Sequence, residues 1–300
     1  MRTRRIINMA INNRYDFVFL FDVENGNPNG DPDAGNNPRV DAETGYGFIT
    51  DVCLKRKIRN YVELCKEEKC SQDGSKAYNI LIKPDNYLNA KFTEAYKKEG
   101  LKTKQKVKNP EDITKARDYM CRNYYDVRTF GAVMSTGDDP CGIVRGPVQI
   151  NFAKSMSPVY IEDITITRQA RTTEDRKKTG ETEMGRKSII PYGLYRAEGY
   201  ISAALANKVT GLDEEDVELL WMSIINMFEH DHSAARGKMC MRKLYIFKHE
   251  SVLGNYPSHL LFEKIVVKQK DMDKPPREFS DYEITVDDIM PQGVELIKKL

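Results

Sequence analysis

Tyr15-Asp16-Phe17-Val18-Phe19-Leu20-Phe21-Asp22, then VENGNPNGDPDAGNNPRVD (Val23 to Asp41), then ITDVCLKRKIRNYVELC (Ile49 to Cys65) decide the fold. Phe17 to Phe21 is an unbroken aromatic and β-branched run, the pattern of a strand buried on both faces at the centre of a sheet. The next segment holds three Gly, three Pro and five Asn, residues that favour turns, left-handed backbone and exposed amides, so it reads as a loop without helix or strand. Its NGNPNG start has Asn at the first ligand position of a calcium loop and Asn36 where the bidentate Glu belongs, so it is not read as a calcium site. Thr50 or Asp51 caps a helix whose Leu54, Ile58, Tyr61, Val62 and Cys65 recur at spacings of three and four. Lys55, Arg56 and Arg59 share a flank beside that face, and Lys57 lies further round. Cations near a helix N-terminus oppose its dipole, which suggests an anionic partner; an ordinary solvated face is the alternative. Strand, amide-rich loop and basic helix together read as a nucleic-acid cradle.

The 300 residues suffice for a large core, and the net charge of +2 announces no polyanionic partner by itself. Charge is uneven: Lys97 to Lys108 carries six Lys against one Glu, whereas Asp271 to Leu300 carries eight acidic and four basic residues. The six cysteines are scattered without a C-x-x-C pair and no signal peptide is visible, the pattern of free thiols in a reducing cytoplasm. No apolar run approaches the roughly 18 residues of a membrane span. Residues 1–13 read as a disordered lead.

Residues 66–110 are polar and Lys-rich, an insertion on the main fold. In it Lys102, Lys104, Lys106 and Lys108 alternate and would form a rail if extended. Pro110 to Tyr125 reads as a helix, and Arg128-Thr129-Phe130-Gly131 offers charge, a ring and close backbone approach, unless Phe130 is core. A turn at Thr136 to Cys141 and a strand of about Gly146 to Lys154 follow. Ile161 to Arg171 and Ser188 to Tyr195 are strand-like around the charged segment TTEDRKKTGETEMGRK, which describes a hairpin with Met184, Arg186 and Lys187 near its tip. Asp213 caps a second helix through Val217, Leu220, Trp221, Ile224, Ile225 and Phe228. Strands are expected at Arg236 to Lys248 and Leu260 to Val267, and the tail is expected to hold one short strand and a terminal helix.

His230-Asp231-His232 has neither a third ligand nor H-E-x-x-H spacing and reads as structural. Asp22, Asp31, Asp33 and Asp41 have the chemistry to hold magnesium for phosphodiester cleavage, but turns use the same residues to cap their own backbone. No nucleotide-binding or nucleophile-elbow motif is present.

The strings NRYDFVFLFDVENGNPNGDPDAGNNPRVD, GFITDVCLKRKIRNYV, DVRTFGAVM, GPVQINFAKSMSPV and MGRKSIIPYGLYRAEGYISA resemble the backbone subunit of the type I-C CRISPR surveillance complex, Cascade, in the repeat-associated mysterious protein superfamily. The resemblance runs from about Asn13 over nearly all the chain. It implies an α+β right hand of one domain, residues 14–300. The palm is a modified RNA-recognition-motif (ferredoxin-like) sheet, with fingers at about 66–110 and a protruding thumb hairpin at about 161–195. It implies a cytoplasmic, non-catalytic subunit without cofactor or metal. Its copies stack head to tail along a CRISPR RNA whose exposed bases pair with target DNA, beside other Cascade subunits, the repeat-processing and large ones. Carried over to this sequence, Lys55, Arg56 and Arg59 grip phosphates, Asn25 and Asn27 contact RNA from the loop, and Arg128 and Phe130 pair at the sheet. Arg145 and Arg168 add RNA contacts, and Met184, Arg186 and Lys187 wedge and clamp from the thumb. The competing implication is a guide-directed metal-dependent ribonuclease using Asp31 or Asp33, since related type III backbone subunits cut target RNA. A standalone single-strand RNA chaperone is a third reading.

Overall fold

A computed structural model describes residues 10–66, 75–105, 109–168 and 183–300. In chain order the strands are β1 (Tyr15–Gly26), β2 (Gly30–Asp31), β3 (Asn37–Pro38), β4 (Tyr46–Ile49), β5 (Gly131–Met134), β6 (Gly142–Arg145) and β7 (Val148–Ile150). They continue with β8 (Ala153–Pro158), β9 (Glu162–Arg168), β10 (Glu183–Ile201), β11 (Lys238–His249), β12 (Ile265–Gln269), β13 (Tyr282–Val286) and β14 (Val294–Lys298). The main helices are α1 (Asp51–Cys65), α2 (Leu88–Lys98), α3 (Pro110–Asn123), α4 (Tyr125–Phe130), α5 (Glu214–Asn226) and α6 (Ser258–Phe262).

β1 is central in an eight-stranded sheet crossed in the order β14-β11-β1-β10-β8-β4, with β7 and β9 pairing elsewhere along β10. It runs antiparallel to both neighbours, from Tyr15↔Ile201 to Gly26↔Ile190 on one side and from Tyr15↔Lys248 to Glu24↔Lys238 on the other. Alternation then sends its side chains to two cores. Phe17, Phe19 and Phe21 join Leu54 and Ile58 of α1 and Leu220 and Trp221 of α5, with the Phe17 ring 5.0 Å from Trp221 at 78°. Val18 and Leu20 face away from those helices and are covered by α6 and the β12–β13 hairpin through Phe262, Ile265 and Tyr282. The unbroken apolar run thus has a cover on each face.

The Thr50 hydroxyl oxygen accepts from Cys53 N at 3.3 Å and caps α1, which buries Leu54, Ile58 and Val62 but leaves Cys65 exposed. α5 opens with a reciprocal capping box between Asp213 and Asp216. A second core joins α2, α3 and the β5–β6 ribbon through Leu81, Phe92, Tyr96, Met120, Met134 and Val144, so this lobe reaches well past residue 110.

Other sequence readings need correcting. The loop from Val23 is not free of strand, because the long β10 keeps pairing with β1 as far as Gly26 and Gly30–Asp31 pairs with Asn37–Pro38. Arg128 to Phe130 is helical, in α4. Asn151 and Phe152 interrupt the strand expected at 146–154, and Leu260 to Phe262 belongs to α6 rather than to a strand. The tail ends in β14 instead of a helix, because the open edge of β11 offers ladder bonds from Val294 to Lys298. Ile11, in the expected disordered lead, is 1% exposed and its N–H donates to Leu212 O at 3.0 Å. Among the described residues no helix is long and apolar enough to cross a membrane.

Candidate nucleic-acid interface

The loop after β1 meets the segment before β11 backbone to backbone. Asn27 N donates to Ala235 O at 2.8 Å, and a Cβ on Gly26 would stand 1.9 Å from Arg236 O. Only a residue without a side chain permits that approach. Lys57 of α1, buried in spite of its charge, pairs with Asp231, and Arg236 Nη1 reaches the same carboxylate at 2.8 Å. Asp231, at the centre of His230-Asp231-His232, therefore anchors a loop, and the two exposed His take no part in it.

The loop, the base of the β9–β10 hairpin and Ala235 enclose a cavity of about 300 Å³ whose lining includes Asn27, Asn36, Asp163, Arg186, Lys187 and Ser188. Asn27 is 9% exposed; its Nδ2 donates to Asn36 O at 2.6 Å, which fixes the amide and leaves Oδ1 buried without a partner among the described residues. Ser188 Oγ donates to Asp163 Oδ1 at 2.6 Å, tying the two hairpin strands together, and Lys187 Nζ donates to Ala234 O at 2.8 Å. Arg186 is exposed and has no ion pair among the described residues, and Met184 is 74% exposed. Sequence reasoning placed Asn27, Arg186 and Lys187 among the functional residues but missed Ala235 in the lining and Ala234 O as the acceptor for Lys187; the small run Ser233-Ala234-Ala235 was their signal. Asn25 is exposed with φ 51, the left-handed backbone tolerated by Asn.

The basic flank of α1 is built differently from a free phosphate grip. Lys55 Nζ pairs with Asp51 at 2.9 Å, and Arg59 Nε donates to Asp126 Oδ2 at 2.9 Å. Both cations roof Phe130, at 5.6 Å and 5.3 Å from its centroid, and Phe130 is core at 7% exposure. Asp126, fully buried, also accepts from the N–H groups of Leu81 and Ile82, so Arg59 helps lock α1 to the second core. Arg56 remains exposed and unpaired among the described residues.

Arg128 is a correction. It is 1% exposed and spends its five N–H donors internally: Nε and Nη2 on Asp216 at 2.9 Å each, Nη1 on Cys121 O and Arg122 O, and Nη2 also on Ala77 O. Burial pushes the guanidinium pKa down, and the Asp216 carboxylate outweighs it, so the net shift is upward. This side chain welds α4 to α5 and is out of reach of a ligand. Arg145 is exposed at the end of β6. Arg168 ends β9, opposite Glu183. Lys104 takes φ 55, which breaks the extended Lys rail, and Lys106 and Lys108 lie outside the described residues.

Three of the four aspartates have separately engaged carboxylates, and Asp33 is exposed, contributing its backbone N–H to Asp31. Asp22 accepts from Tyr192 and Arg242, Asp31 pairs with Arg39 and accepts from Asp33 N, and Asp41 holds its own turn through Glu43 N and Thr44. Among the described residues no group of three His, Cys, Asp or Glu is placed to hold a metal.

Comparison with known proteins adds an independent line. One relative, described as CRISPR-associated protein Cas7 from Haloferax volcanii, is 27% identical over 268 residues, 83% of this chain and 73% of that protein. A chain of a CRISPR RNA-guided surveillance complex in a pre-nicking state superposes with a TM-score of 0.46 at 13% identity, covering 83% of this chain and 86% of that one. A chain of the type III-B Cmr-beta complex bound to cognate target RNA gives 0.41 at 10% identity, covering 78% and 61%. Residues 13–287 match the family of CRISPR-associated protein Cas7, and the chain belongs to that family.

Proposed function

We propose that this chain is the CRISPR-RNA-binding backbone subunit of a type I-C interference complex, stacking head to tail along the guide and presenting its bases to target DNA. Membership of the Cas7 family supports the class. The observation that carries the reading is the cavity between the Asn-rich loop and the hairpin base, lined by Arg186, exposed and without an ion pair among the described residues, and by the half-buried Lys187. Such a cleft offers two cations to one phosphate and leaves the bases outward, so it reads backbone rather than sequence. In this reading the β9–β10 hairpin is the thumb, with Met184 as wedge and Arg186 and Lys187 as clamp, and the lobe around α2 and α3 is the fingers. Asn25, Arg56, Arg145 and Arg168 extend the path; Lys55 and Arg59 contribute field from within their ion pairs, and Asn27 backs the cavity. An RNA-recognition-motif-like palm is supported by the antiparallel order β11-β1-β10-β8 with α1 and α5 on one face. The repeat-processing and large Cascade subunits and a cytoplasmic setting belong to the same proposal, as does binding without cleavage, which the separate engagement of Asp22, Asp31 and Asp41 supports.

Arg186→Ala tests it. The side chain is exposed, so folding is expected to be unchanged, while affinity for CRISPR RNA falls equally for all spacers. The log–log salt slope is expected to drop by about 0.7 if one phosphate contact is lost. Unchanged affinity and slope would remove the cavity from the interface.

A further inference from the structure

Beyond the cavity, the sheet face turned away from α1 and α5 carries a second feature. Register places Phe48 opposite Lys154, Lys154 opposite Arg196 and Arg196 opposite Leu20, so all four project from the face that α6 and the β12–β13 hairpin cover further in. That cover reaches Arg196, whose guanidinium donates to Phe262 O and Ile265 O, and Met156 of β8. Past it, Phe152 stays 56% exposed. Its ring lies parallel to that of Phe48, 3° between planes and 6.3 Å between centroids. Beside them Lys154 holds its ammonium 4.8 Å from the Tyr46 ring centroid. None of these residues lines the cavity at the hairpin base.

We infer that the Phe48–Phe152 ledge is a stacking site for an unpaired base of single-stranded nucleic acid, with Lys154 placed for the adjoining phosphate. An exposed aromatic ring with a parallel neighbour offers a base a flat apolar partner, and every base has a π-face. The cation already lies over a ring, so it stays close to the ledge and supplies the charge that a phosphate requires. The apolar part amounts to two phenyl rings, far short of the roughly 800 Å² per partner that a stable protein contact buries. Two rings and one ammonium suit a nucleotide better than a second protein surface. The contact is indifferent to the sugar, because nothing in it addresses a 2′-hydroxyl.

The test uses the full chain with short oligouridylate and oligothymidylate as probes. Phe152→Trp places a fluorescent reporter on the ledge; the natural Trp221 is 3% exposed and does not interfere. The reporter is expected to be quenched by both probes, while Phe152→Ala and Phe152→Leu weaken binding roughly 5- to 150-fold, the range of one lost stacking contact. Phe152→Tyr is expected to retain affinity, and Lys154→Gln to lower the salt slope by about 0.7. An unquenched reporter in Phe152→Trp, unaltered binding by Phe152→Ala, or a change in sedimentation without a change in oligonucleotide affinity would each overturn the inference, the last making the ledge a contact between proteins. Arg186→Ala measured in parallel separates the two sites. Loss with Arg186→Ala but not with Phe152→Ala refutes the ledge alone, and no binding of either probe by the unaltered chain refutes the ledge as well.

Discussion

Replacing Arg128 with Ala discriminates a structural cation from a ligand contact. The change strands the Asp216 carboxylate, which is fully buried and among the described residues keeps Lys76, at 3.3 Å, as its cationic neighbour. It also removes the donors from Ala77 O, Cys121 O and Arg122 O. Breaking one side of a buried ion pair costs about 3–5 kcal/mol, because the remaining charge keeps its desolvation penalty. Against a total stability of about 5–15 kcal/mol that is a large fraction, on the order of 6–10 °C in Tm for a chain of this size. Arg128→Lys is expected to fall between, since an ammonium keeps the charge without the two-pronged geometry. Urea and thermal melts followed by far-UV circular dichroism measure the loss, and guide-RNA titration of the surviving folded fraction measures function. The reasoning predicts a strongly lowered midpoint with unchanged affinity per folded molecule. An unaltered midpoint with weakened, less salt-dependent RNA binding would refute it and restore Arg128 to the interface.

Two further outcomes follow from packing. Gly199 lies opposite Phe17 in the sheet, and a Cβ there would stand 2.2 Å from the Phe17 ring, so Gly199→Ala is expected to cost about 1–3 kcal/mol in a urea melt, with no loss refuting the close packing. Cys121 and Cys141 have thiol pKa values pushed up to about 12, chiefly by burial, so at neutral pH each stays a thiol; raising the pH from about 7 toward 9 is expected to leave labelling of both slow, as peptide mass spectrometry would show, and faster labelling of either over that range would refute it.

Much of the scaffold was legible because local signals coincided with the final environment. Phe17 to Phe21 had to lie inside whatever covered it, and the Thr50 cap with its apolar period needed no knowledge of the partner. The limits were of one kind. Arg128 beside Phe130 has the composition of a stacking pair, and its actual partner, Asp216, is 88 positions away. Lys55 and Arg59 looked free until Asp51 and Asp126 were seen beside them. The tail was misread because a five-residue segment takes its structure from the edge it joins. The candidate site was legible as a loop and a hairpin but not as a cavity, since its remaining lining residue, Ala235, lies in a segment with no motif of its own. Phe152 passed unnoticed inside a segment read simply as strand.

The central claim, that copies of this chain assemble along a guide, is tested most directly by the mass of the protein purified with CRISPR RNAs of increasing spacer length. The account predicts a mass that rises in regular steps with the spacer. A complex that holds one or two copies whatever the length would contradict it.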